Sequence, residues 1–149
     1  MGLKERLKSD LTEAIRARDE VRAGTIRMAL TSITNEEVAG KEARILTDTE
    51  IITVLSREAK KRREAAEAYD SAGSKERGDR ERVEGLVIAE YLPSQLSESE
   101  LQEMIRTAIA ETGASGPSGM GQVMKALSPK IAGRADGSKV SAAVKAALS

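Results

Sequence analysis

Apolar residues recur along this chain at the spacing of one helix face, and nowhere do they form a convincing alternating run bounded by turn residues. Leu3, Leu7, Leu11 and Ala14/Ile15 open the pattern, with Lys, Arg, Asp and Glu between them. Val21, Ile26, Ala29/Leu30 and Ile33 continue it, as do Ile51, Val54/Leu55, Ala59, Ala66 and Tyr69, and then Val83, Leu86/Val87 and Tyr91. A chain patterned this way must bury its stripes by packing helix against helix. Phe, Trp, Cys and His are absent and Tyr occurs twice, so the core is built from Leu, Ile, Val, Met and Ala. Such small side chains suit close helix contacts.

Start and stop signals divide the pattern. Asp19 is placed to cap a second helix, which Gly24 weakens by about 1 kcal/mol relative to Ala. Thr47-Asp-Thr-Glu50 fits a capping box for a third helix running to Gly73. Residues 74–82 are almost wholly polar, and the apolar stripe that follows ends at Leu92-Pro93, where proline disfavours a helical residue before it. Residues 1–92 therefore read as an N-terminal bundle of about four helices, three long and a shorter fourth.

Residues 93–149 read as a small three-helix domain. Ser97-Glu-Ser-Glu100 is a second capping box, followed by Leu101, Met104/Ile105 and Ala108/Ile109 up to Gly113. A flexible loop, Ala114-Ser-Gly-Pro-Ser-Gly119, precedes Met120, Val123/Met124, Leu127 and Ile131. Pro129 is expected to kink this helix or end it early. Asp136 or Ser138 then caps a last helix with Val140, Ala143/Val144 and Ala147/Leu148. The fold class is all-α.

Composition excludes much chemistry. Without Cys there is no disulfide, thiolate nucleophile or thiolate metal site. Without His the usual general base and the commonest metal ligand are missing. No glycine-rich phosphate loop, nucleophile elbow or metal-ligand cluster is present. A Ser–Lys pair is compatible with the residue types, and Glu81 and Glu84 can share a helix face, although such carboxylates are ordinarily solvated. No catalytic residue, cofactor or metal is assigned. No apolar run approaches the roughly 20 residues that span a bilayer, and Met1-Gly-Leu-Lys-Glu-Arg6 lacks a signal-peptide core. A cytoplasmic protein is expected.

Net charge is zero, with Lys+Arg 24 against Asp+Glu 24, but the distribution is uneven. Arg57-Glu-Ala-Lys-Lys-Arg-Arg-Glu64 is the densest basic cluster. Its interleaved acids and lack of stacking aromatics favour a solvated face over a nucleic-acid patch. The terminal stretch differs: Lys125, Lys130, Arg134, Lys139 and Lys145 accompany a single acid, Asp136. If they share a surface they can engage phosphates, and the helix starts at Gly119–Gly121 and Asp136–Gly137 add free amides. A merely solvated reading of the five stays equally open.

Tyr91-Leu-Pro-Ser-Gln-Leu96, the following Glu-rich amphipathic helix, Met120-Gly-Gln-Val-Met-Lys125, Gly133-Arg-Ala-Asp-Gly137 and Val140…Val144-Lys145 resemble the YqeY family. Thr25-Ile-Arg-Met-Ala-Leu30 and the stretch 57–69 are similar to its N-terminal bundle, so the resemblance covers nearly the whole chain. Gly119 stands where family members usually carry Asp, and Ser74 and Arg77 also depart from the family pattern. The resemblance implies a C-terminal part similar to the tail of the B subunit of the tRNA-dependent amidotransferase, which helps hold the body of the tRNA. It thus implies a non-catalytic module that binds tRNA or joins an amidotransferase component. The alternatives are a share in carbon–nitrogen ligase activity with glutamine as amido donor, as part of a larger assembly, or a protein-interaction adaptor.

Overall fold

A computed structural model describes all residues from Met1 to Ser149. It contains seven α-helices and no strand, as the helical periodicity requires: α1 (Leu3–Arg16), α2 (Glu20–Glu37), α3 (Asp48–Ser71), α4 (Lys75–Ala89), α5 (Glu98–Thr112), α6 (Met120–Ile131) and α7 (Gly137–Leu148). The chain forms two compact units, Met1–Leu92 and Pro93–Ser149.

The first unit closes on Leu7, Ile26, Ile33, Ile51, Leu55 and Ile88, all essentially removed from water. Its helix starts are satisfied as their residues allow. The Asp19 carboxylate accepts from the Arg22 amide. Thr47 and Glu50 exchange bonds in a complete capping box. Gly2 offers α1 no side-chain cap, and Asp48 serves instead, accepting from the Leu3 amide at 3.1 Å. The segment 38–47 is held by Glu37, whose carboxylate accepts from Lys4 Nζ at 2.6 Å and from the Leu46 amide at 3.2 Å.

The polar stretch 74–82 is helical, so α4 begins at Lys75 and is no shorter than α1. Tertiary contacts replace the missing apolar stripe. Arg82 donates to both Asp70 oxygens, at 2.9 and 3.1 Å, and to Asp79 at 2.6 Å. Gly78 is buried against α3: a Cβ there would meet Asp70 and come within 3.1 Å of the Ala66 carbonyl. A side chain there requires the Asp70 carboxylate to move and the Ala66 carbonyl to give way.

The second unit packs Ile105 and Ala108 from α5 against Val123, Leu127 and Ile131 from α6 and Val140, Val144 and Leu148 from α7. Ser97 caps α5, accepting from the Glu100 amide, but the Glu100 carboxylate takes the Ser97 hydroxyl, as in half of a capping box. The segment expected as a flexible loop contains a 3-10 turn at Pro117–Gly119. Pro129 sits inside α6, which runs two residues further before ending.

Candidate nucleic-acid interface

The second unit sorts its basic residues by what surrounds them. On α6, Val123, Leu127 and Ile131 face the core, so Lys125 lies on the opposite side of the helix and is exposed. On α7, Val140, Val144 and Leu148 are buried, which leaves Lys139 and Lys145 on its outer side, also exposed. No carboxylate comes within ion-pair distance of Lys125, Lys139 or Lys145. Lys130 approaches Glu111 on α5 at 3.8 Å, an exposed pair of little energetic consequence.

Arg134 differs from the lysines. Its guanidinium Nε donates to the Ser94 carbonyl at 3.0 Å, and its own carbonyl accepts from the Leu96 amide at 2.8 Å. Gln95 Nε2 donates to the Gly133 carbonyl at 2.8 Å. Two motifs about forty residues apart, Pro93–Leu96 and Gly133–Gly137, therefore form one clasp closing the three-helix unit. The terminal motif is largely structural, and four of the five basic residues remain on the surface.

The two helix starts also diverge. Asp136 caps α7, accepting from the Ser138 amide at 2.9 Å and the Ser138 hydroxyl at 2.7 Å. A carboxylate thus already occupies the end where a phosphate was expected to gain free amides. At α6, Gly119 gives no side-chain cap. A Cβ at Gly119 would come within 2.7 Å of the Ala114 Cβ, so an Asp at this position requires the preceding turn to move.

In the first unit Tyr91 is a structural latch. Its hydroxyl donates to Asp10 Oδ2, and the Arg6 guanidinium lies 4.7 Å from its ring centroid. Burial first, and then the Asp10 carboxylate, push the phenol upward from its ordinary value.

The stretch 57–64 is not simply solvated. Arg62 is drawn inward, its side chain 11% exposed, with Glu84 at 3.3 Å, Glu81 at 3.6 Å and Glu58 at 3.7 Å. Arg57 pairs with Glu36 of α2 at 3.8 Å and Lys61 with Glu58 at 3.3 Å. Helical spacing places Glu81 and Glu84 on one face, but nothing in the sequence says that Arg62 of another helix fills it. No group of acidic side chains is disposed to hold a metal ion, and no helix is long and apolar enough to cross a membrane.

These features define a class: an all-helical, two-unit protein with a charged α2–α3–α4 bundle and a clasped three-helix unit bearing exposed lysines. The profile of the family described as Yqey-like protein matches residues 4–148. The chain belongs to the YqeY family. No curated protein matches it.

Proposed function

We propose that this protein is a non-catalytic tRNA-binding module, with an amidotransferase-associated module as the alternative. The reading is carried by Lys125, Lys139 and Lys145, three exposed cations on α6 and α7 that no carboxylate neutralises. Arg134 and Lys130 assist less, since the first is engaged in the clasp and the second faces Glu111. Contacts to about three phosphates give weak binding, roughly 10⁻⁴–10⁻⁶ M, steeply dependent on salt. The test is filter binding of tRNA over a range of salt concentrations. A plot of log affinity against log salt should fall with a slope of about −3, and the triple variant Lys125→Gln, Lys139→Gln, Lys145→Gln should remove most of that slope. Absence of tRNA binding by the parent chain at low salt, or an unchanged slope in the triple variant, would overturn the reading.

A further inference from the structure

A groove of about 310 Å³ runs between α2 and α3, at the small end of ligand-pocket sizes. Ser32, Asn35 and Glu36 form one wall, and Arg57, Glu58 and Lys61 the other; Val54 and Ala39 supply an apolar patch. Two cations and two carboxylates line it, so a lone anion or a lone cation finds no net field to enter. A ligand bearing both charges gains at each end.

Glu36 and Arg57 stand 3.8 Å apart, and the buried Glu58 lies 3.3 Å from the exposed Lys61. A molecule whose ammonium and carboxylate share one carbon can lie antiparallel to such a pair, each of its charges against the opposite one. Glu58 is preorganised: it is buried, its Oε1 accepts from the Ser32 hydroxyl at 3.0 Å, and Arg62 approaches its other oxygen. Arg57 and Glu36 are more exposed, and a pair so exposed exchanges partners at little cost.

We infer that the α2–α3 groove is a binding site for a free α-amino acid with a small aliphatic side chain. The ligand carboxylate replaces Glu36 at Arg57 and is joined by Lys61. Its ammonium lies against Glu36 and the Asn35 side-chain carbonyl, and its side chain rests on Val54 and Ala39. This site lies within the first unit and stands apart from the tRNA reading.

The experiment is an NMR titration of the full chain with L-valine, N-acetyl-L-valine and L-valinamide in parallel. L-Valine should shift amides within 32–39 and 54–61 saturably in the millimolar range. Either blocked derivative should bind at least about tenfold more weakly, because each loses one charge. Arg57→Gln, a surface change that leaves the core intact, should weaken L-valine by a similar factor, and Asn35→Ala by less. The inference is overturned if L-valine causes no saturable shift in those segments, if blocking either charge leaves the affinity unchanged, or if Arg57→Gln binds as the parent does.

Discussion

At the scale of single residues, the positions that matter are those where a polar group has left water. Tyr91 is 4% exposed, and its hydroxyl reaches Asp10 across 81 residues of sequence. Replacing it by Phe keeps the ring under Arg6 and deletes one bond to a carboxylate, which should cost about 1–2 kcal/mol. The cost sits at the low end for a charged partner because Asp10 remains about a third exposed and can recover water. Urea denaturation of Tyr91→Phe checks this, and an unchanged midpoint would show that the hydroxyl contributes nothing. The apolar stripe makes Tyr91 legible as a packed residue; its Asp10 partner is not legible, because no local spacing links them. Arg62 teaches the same lesson more sharply. In the sequence it is one base among several, and three carboxylates from two helices make it an interior one.

At the scale of elements, helix starts were the most legible features and helix lengths the least. Asp19, Thr47, Ser97 and Asp136 all cap through local bonds that their own neighbours dictate. The first half of α4 was not legible, since its helix depends on Arg82 and on Gly78 lying against α3 rather than on an apolar stripe. Two glycine substitutions should therefore act with opposite sign. Gly24→Ala meets open space in α2 and should stabilise by about 0.5–1 kcal/mol. Gly78→Ala should destabilise despite the better helix propensity of Ala, because its Cβ strikes the Asp70 carboxylate that Arg82 holds and crowds the Ala66 carbonyl. Thermal melts of the two variants decide the point, and a stabilised Gly78→Ala would contradict the close approach of α3 and α4.

Glu37 is one source of acid sensitivity in the first unit. Its carboxyl is held below the ordinary value, first by the Lys4 ammonium and then by the Leu46 amide. A carboxyl depressed on folding adds stability above its unfolded value, and that stability is lost as pH falls through the folded value. Glu50 and Asp70, lowered chiefly by Arg44 and Arg82, act in the same direction. Stability should therefore decline on acidification below about pH 4.5. Glu37→Gln should be less stable at neutral pH and decline less steeply in acid, as followed by melting temperature against pH. An acid slope identical to the parent's would remove Glu37 from the explanation.

For the whole molecule, each unit carries its own buried cluster, one around Ile33 and Leu55 and the other around Val123 and Val144. Val123→Ala should cost the second unit about 2 kcal/mol through lost contacts and a residual cavity. Hydrogen exchange should then show faster exchange within 93–149 and unchanged protection within 1–92. Loss of protection in both would mean that the two units unfold together. The sequence by itself determined the all-helical class, the caps, and which residues of each helix are apolar enough to be buried, because these follow from spacing within one or two turns. Only the tertiary structure decided that Arg62 lies among Glu58, Glu81 and Glu84, that Gln95 and Arg134 close a clasp, and that opposed charges line the α2–α3 groove. The physical reason is that a charge is solvated or paired according to which helix faces it, and that choice is made by packing, not by sequence neighbours.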